Sequence, residues 1–338
     1  MTIRFGVGLP SCREGTAYSV PFAQPSDFAM MARRAEALGF HSLWANDHLT
    51  TPRVISETQP EPPNFYEPLI TYATIAGVTE RIKLVLSVIV LPEREPVLLA
   101  KQVATLDALS GGRVMLGVGL GAYREEFEAV HPRMKGANRG AMLDEGIQAL
   151  RVLFSERSAT FTGRYLEFKD VELAPKPLQT PFPILLNAHA DAGLDRVGRI
   201  ADGWIVAGLR LDALPAARER VHAAASAAGR DGAAIDIHAQ IWISLGADRH
   251  QAEARLRASQ HFRRMVALHP ERSEAAVLER FAGGNLIGSP EDVYRQLEPY
   301  ERAGIGHVGL VFLAPSAEEM MADAELFATA VMPRFSGS

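Results

Sequence analysis

Asp47 and His48 stand side by side, one residue beyond the apolar run His41–Ala45. An imidazole changes charge near neutral pH, so His48 could hydrogen-bond a ring carbonyl or relay a proton, with Asp47 orienting it. A second group is Gly117-Val118-Gly119-Leu120-Gly121-Ala122, at the end of the run Val114–Val118. It fits G-x-G-x-x-A, the fingerprint of a dinucleotide-binding turn. Such a turn belongs on the first strand–helix unit, however, and here Pro132 follows too soon for the usual crossover helix. Two readings stay open: a tight exit from a strand, or backbone that approaches a planar or phosphorylated ligand where no bulky side chain intervenes. A third group, Asn187-Ala188-His189-Ala190-Asp191, joins the run Ile184–Leu186 to a helix. Free N–H groups at a helix start bind phosphate, and His189 could add positive charge. Asp191 as a plain helix cap explains the same residues. On paper His48, His189 and Asp191 could also hold a metal, but the H-x-H of a metal-dependent barrel hydrolase is absent from the first strand. No metal is expected.

These groups need a scaffold that sets strand ends side by side. The runs Ile82–Leu91 and Val114–Val118 are almost uninterrupted Val, Ile, Leu and Met, as parallel strands buried on both faces require. Between them Pro96–Leu109 repeats apolar residues at helical spacing, and Ser110-Gly111-Gly112 ends it. The result is a strand–helix–strand unit with a right-handed crossover. Similar runs recur at Ile3–Leu9, His41–Ala45, Ile184–Leu186, Gly203–Val206, Ile235–Leu245 and His307–Leu313, alternating with helical patterns. Eight strands in this alternation predict an α/β fold of one domain, a single TIM-like (β/α)8 barrel spanning 1–338. Insertions are expected near 50–66, 120–140, 156–182 and 249–288, with a β-hairpin at Ala159–Phe168 inside the third. A doubly wound sheet is the runner-up. In either fold ligands meet the carboxyl ends of the strands, where all three groups lie.

Composition narrows the classes. The chain of 338 residues is 47% hydrophobic and 22% charged with net charge −5, and its acidic and basic residues are interspersed. No basic tract or aromatic-interleaved basic face suggests nucleic acid. The one cysteine, Cys12, excludes an internal disulfide and reads as a small buried residue. No signal peptide precedes Phe5 and no apolar run is long enough for a bilayer, so a cytoplasmic protein without membrane contacts is expected. Trp44, Trp204 and Trp242 lie in or beside strands, with core packing the default.

Longer stretches resemble the bacterial-luciferase-like superfamily of flavin- and F420-dependent oxidoreductases. The matching residues are Phe5-Gly6-Val7, Ala35 to Phe40, Leu43-Trp44 to Asp47-His48, Ser87-Val88 and Leu91-Pro92. They continue through Leu99-Ala100-Lys101, Leu109-Ser110-Gly111-Gly112-Arg113, Leu116 to Gly119, Glu125-Glu126-Phe127, Ala201 to Trp204 and Gly288 to Glu291. The resemblance implies a flavin or deazaflavin lying across the strand ends, its ring against a non-proline cis peptide at Ser87–Val88. It places the cofactor phosphate near Gly119, Gly121, Ala122 and Tyr123 and near Asn187, Ala188, His189 and Ala190. The deazaflavin-dependent sugar-phosphate dehydrogenases carry a glutamate directly after the fourth-strand glycines, where this chain has Ala122. Many deazaflavin users have paired glycines where Asn187-Ala188-His189 stands, so FMN and F420 both stay open.

The expectation is a monooxygenase using reduced FMN or reduced F420 on a small organic substrate, with His48 at the reacting edge. The loop Thr50–Asn64 and the insertion Arg249–Phe281 would be lids that keep water out. An F420-dependent dehydrogenase without oxygen insertion, a non-catalytic flavin carrier and a metal-dependent hydrolase are the alternatives. From the family, a homodimer and a separate flavin reductase are expected partners.

Overall fold

The apolar runs become the staves of a closed barrel in the computed structural model, which describes residues 2–208 and 210–335. Its strands in chain order are β1 (Arg4–Gly8), β2 (Ser42–Ala45), β3 (Lys83–Val90), β4 (Val114–Gly119), β5 (Ala159–Thr162), β6 (Glu167–Val171), β7 (Ile184–Asn187), β8 (Gly203–Ala207), β9 (Asp236–Leu245), β10 (Leu286–Gly288) and β11 (His307–Phe312). The circuit β1-β2-β3-β4-β7-β8-β9-β11 is parallel throughout and closes where β11 pairs with β1. The fold is a TIM-like (β/α)8 barrel, and an open doubly wound sheet is excluded. Strands β5 and β6 form a separate antiparallel hairpin that runs on to Val171. Strand β10 was not legible in the sequence, because three residues are too few to show a period. It pairs with the far end of β9, whose long run outlasts β8.

Closure sets the residue types inside. Trp44, Val85, Leu185 and Ile205 form a buried cluster contributed by four different staves, with Val88 and Met115 against it. A Cβ on Gly6 of β1 or Gly309 of β11 would fall 2.5 or 2.3 Å from the Trp44 ring, so these two strands lack side chains there. The indole Nε1 is satisfied by Ser42 Oγ at 2.9 Å. Trp204 is buried too, whereas Trp242 is only half-buried and stacks on His261 at 4.0 Å between ring centres.

The most specific motif, Leu109 to Arg113, turns out to be structural. Gly111 and Gly112 have φ of +68° and +79°, which end the helix Pro96–Ser110 in left-handed conformation. Arg113 is buried and donates to the carbonyls of Ser110, Ile82, Ala76 and Thr79 at 2.6–3.2 Å and to Thr79 Oγ1 at 2.8 Å. It thereby ties two helix ends to the start of β3 and β4, remote from the ligand end.

Two insertions differ from the sequence reading in detail. The polar stretch after Tyr123 contains a helix, Arg124–Val130, and the 50–66 segment contains one helical turn, Arg53–Ser56. Helices Arg249–Ala258, Gln260–Leu268 and Glu274–Ala282 bury Leu256, Phe262, Val277 and Phe281 in a small core of their own. Among the described residues, no helix is long and apolar enough to cross a membrane.

Candidate active site

At the carboxyl ends of the strands lies a cavity of about 860 Å³. It brings together His48, Asp47, Ser87, Val88, Gly119, Gly121, Ala122, Asn187, Ala188, His189 and Ala190, from loops far apart in the chain. Tyr123, expected among them, is not in the wall. Its ring lies 6.2 Å from that of His48, and its hydroxyl accepts from Arg264.

The wall after β3 is irregular. Pairing with β4 shifts register between Leu86 and Ile89, and the Ser87–Val88 peptide is cis, as the resemblance implied. Gln240, from β9 on the opposite side, donates to Ser87 Oγ at 3.3 Å. The two readings of the β4 glycines can now be separated. A Cβ on Gly119 would lie 2.7 Å from Val88 Cγ2, and one on Gly121 would lie 2.8 Å from Val90 Cγ1. The glycines make room first for the displaced strand β3, and only through it for a ligand.

The partner of His48 is a correction to the sequence reading. Its Nδ1 faces both oxygens of Glu126, at 2.9 and 3.1 Å, and Asp47 takes no part. Asp47 instead accepts from the Val90 N–H at 3.0 Å and from the guanidinium of Arg94, which also reaches Glu67 at 3.0 Å. Both residues border the cavity, but the Asp47 carboxylate is turned to the loop after β3 while the His48 imidazole meets Glu126. Its Nε2 has no hydrogen-bond partner among the described residues. Phe65 lies against the imidazole at 5.1 Å. Glu93 is buried nearby with Oε1 unpartnered, and burial together with Glu126 and Asp47 pushes its carboxyl up to about 7.

Three arginines give the other end of the cavity its charge. Arg196 is held by Asp144 at 2.6 Å. Arg139 donates to the carbonyls of Leu120 and Gly121 at 2.9 and 3.2 Å and keeps a buried, unpartnered Nε. Arg124 is exposed beside them. Facing these, the helix Asp191–Ile200 begins at Ala190, which has no side chain to cap it. Asp191 is therefore not the cap; it forms an ion pair with Arg220 at 2.8 Å. Uncapped N–H groups and a helix start favour an anion. Small residues along one wall, the bulge at Ser87–Val88 and this basic end fit a flat ring carrying a phosphate.

Among the described residues, His48, His189 and Asp191 do not form a metal-holding group. A set that could, Asp236, His238 and His307, sits at the opposite end of the barrel where β9 and β11 begin. Cys12 is buried and its thiol is pushed up to about 12, chiefly by desolvation and then by Asp47, which suits packing rather than nucleophilic attack.

Glu126, Glu93, Arg94, Asn46 and Gln240 were not singled out as site residues from sequence. A weak signal existed for Glu126, which precedes Phe127, the aromatic that anchors its helix in the core.

Comparison with known proteins finds relatives in sequence and in fold. An uncharacterized protein of Mycobacterium tuberculosis (strain H37Rv) is 34% identical over 210 residues, covering 59% of this chain and 72% of that one. The F420-dependent glucose-6-phosphate dehydrogenase of Amycolatopsis mediterranei is 29% identical over 319 residues, covering 87% of this chain and 90% of that enzyme. In structure, an F420-dependent secondary alcohol dehydrogenase, solved with an F420-acetone adduct, superposes with a TM-score of 0.79 at 19% identity, each chain fully covered. Monooxygenase RslO1 of Streptomyces bottropensis gives 0.80 at 23% identity, covering 99% of this chain and 100% of that one. The sequence pattern of the luciferase-like monooxygenase family matches residues 3–307. The chain belongs to the luciferase-like monooxygenase family.

Proposed function

We propose that the chain is an F420-dependent oxidoreductase that exchanges a hydride with a small organic substrate while His48 carries the accompanying proton. The observation that carries this is the fixed imidazole. Glu126 holds Nδ1 and leaves Nε2 turned to the cavity, beside the bulge at Ser87–Val88. A relative matched over 87% of this chain and 90% of its own length is named for F420-dependent dehydrogenation.

When bound, the deazaflavin supplies the hydride acceptor or donor. The protein supplies the rest. Val88 and Gly119 offer the ring a flat wall, with Ala188 and Ala190 leaving space beside it. Arg139, Arg124 and the start of the helix Asp191–Ile200 receive the phosphate and the acidic tail. His48 Nε2 takes a proton from a substrate hydroxyl, or returns one to a carbonyl, and Glu126 stabilises the imidazolium formed in between. Ala122 removes the glutamate expected after the β4 glycines, and Glu126 restores a carboxylate to the site by acting through His48. Phe65 and Tyr123 flank the imidazole and limit water.

A second reading, FMN-dependent monooxygenation, is favoured by one feature: Asn187-Ala188-His189 stands in place of paired glycines and narrows the phosphate end. In that reading a separate reductase supplies reduced flavin. We also infer a homodimer, which sedimentation equilibrium would test.

Side-by-side titration of the protein with F420 and FMN, each oxidised and reduced, decides between them. The expected result is micromolar F420 binding and anaerobic reduction of F420 by an alcohol. Oxygen-dependent turnover with reduced FMN alone would favour the second reading, and failure to bind either cofactor at micromolar concentration rejects both.

A further inference from the structure

Arg13, in the loop after β1, is clamped at both ends. Its carbonyl accepts from the N–H groups of Thr16, Ala17 and Tyr18 at 2.8–3.2 Å. The residue is 2% exposed, and its guanidinium lies over the Trp242 ring at 5.1 Å. From there Nη2 donates to Oδ1 of Asn46 at 2.7 Å. A guanidinium carries donors only, so this bond fixes which way the Asn46 amide faces. Turning the amide over would set N–H groups against N–H groups. Oδ1 is therefore committed to Arg13, and Nδ2 keeps its two N–H groups without a partner among the described residues.

Asn46 is half-buried in the wall of the strand-end cavity, two residues before His48 on the same strand exit. Two residues of extended chain span about 6.6 Å, a separation at which two side chains converge on one ligand atom. Other amides of that wall spend an N–H on the fold. Gln240 Nε2 donates to Ser87 Oγ and Asn187 Nδ2 to the Ile205 carbonyl, both at 3.3 Å. Asn46 differs in having its acceptor bound to a buried cation and its donor free at the cavity. A charged donor on the carbonyl draws electron density from the amide nitrogen and strengthens its N–H groups, more so where water is excluded. The amide has no charge of its own to lose, so it donates across the whole neutral pH range.

We propose that Asn46 is a catalytic residue whose Nδ2 donates to the substrate oxygen on the reacting carbon, with Arg13 positioning and polarising it. The inference rests on reading His48 as the proton carrier. When an alcohol is oxidised, the O–H proton passes to His48 Nε2, the C–H hydride to the bound cofactor, and the C–O bond becomes a carbonyl. Negative charge builds on that oxygen as its proton leaves, and the Asn46 N–H meets the charge there. In the reverse direction the same N–H polarises the carbonyl, and His48 returns the proton. His48 changes charge during the cycle and Asn46 does not, so the oxygen keeps one fixed donor throughout. The substrate class follows: an alcohol and its carbonyl partner. An acceptor without that oxygen, such as an alkene, leaves the donor unpaired and is rejected.

Two variants test this. Asn46→Ala removes the donor; Asn46→Asp removes it too but gives Arg13 a charged partner, so the variant should resist urea at least as well as the parent. Each should slow single turnover of an alcohol with F420 by about a hundredfold or more, while KM moves only a few-fold and cofactor affinity holds. Arg13→Met keeps the contact with Trp242 without the charge and should lose part of the same rate. Binding supplies a readout that needs no turnover: cyclohexanone against methylenecyclohexane, alike in shape, followed by ligand-detected NMR with and without cofactor. The parent should prefer the ketone by about threefold to tenfold, and both Asn46 variants should lose most of that preference. A purely structural amide predicts full turnover in Asn46→Asp, and that result would overturn the inference. So would a ketone preference absent from the parent or retained in both variants, or a cofactor dissociation constant that moves in its place. A parent that prefers the ketone through Asn46 yet turns over no alcohol would sink the functional reading and leave the donor standing.

Discussion

Glu126→Gln and Glu126→Ala test the central geometry. Both Glu126 oxygens lie within 3.1 Å of His48 Nδ1, and the two side chains are 3% and 13% exposed. A charge-assisted hydrogen bond so little screened by water contributes about 1.5–3 kcal/mol. If it is made when the imidazolium forms, its loss slows turnover by about 10- to 150-fold, at about 1.4 kcal/mol per tenfold. The glutamine keeps an acceptor and removes the charge, so it should sit at the low end, and the alanine at the high end. The assay is the single-turnover rate with saturating cofactor, accompanied by the cofactor dissociation constant, which should not move because Glu126 lies off the cavity wall. The cycle with His48→Gln sharpens the result: once the imidazole is gone, removing Glu126 should change the rate little. Equal losses from Glu126→Ala in both backgrounds, or an unaffected rate in the parent, would show that Glu126 does not act through His48.

Other consequences follow from the same contacts. Asp47→Ala leaves Arg94 with Glu67 alone in a buried setting and should cost about 3–5 kcal/mol, read by urea denaturation, while Asp47→Asn should cost less. Gly119→Ala drives a Cβ to 2.7 Å from Val88 Cγ2; the overpacking should destabilise by about 1–3 kcal/mol, and Val88→Ala in the same chain should recover most of it. An intact Val88 with no stability loss would contradict that contact. Glu93 titrates near 7 in the folded protein, against about 4.3 for an unperturbed glutamate. Between those values the native state holds the extra proton, so this group's contribution to stability is full below about pH 4 and is lost as pH rises toward 7. Denaturation of the parent and Glu93→Gln across that window should diverge by up to about 3 kcal/mol, and parallel curves would refute the raised carboxyl.

Much of the architecture was written in the chain. Parallel strands buried on both faces must be apolar runs, so eight such runs alternating with helices point to the barrel, and the pairing of β11 with β1 closes it. Ser289 and Asp292 cap the helix Pro290–Arg302 by local chemistry alone, each side chain bonding the other's backbone. Because ligand sites lie at the carboxyl ends of the strands, the three chemical groups could also be placed on one face. Partnership could not be read, for two physical reasons. Asp47 and His48 are neighbours in the chain, but Arg94 and the Val90 N–H take the Asp47 carboxylate, so adjacency implied a pairing that does not form. The real partner of His48 lies 78 residues away, on a helix too short and polar to show a period. The same holds for Arg13, Trp242, His261 and Arg264: residues from three distant segments come together only when the barrel closes and the helix Gln260–Leu268 packs against it. The sequence by itself determined the scaffold and the face on which chemistry occurs, because both follow from local pattern and connectivity. Which side chains meet on that face was decided by tertiary structure, because closure and burial, rather than spacing, choose the partners.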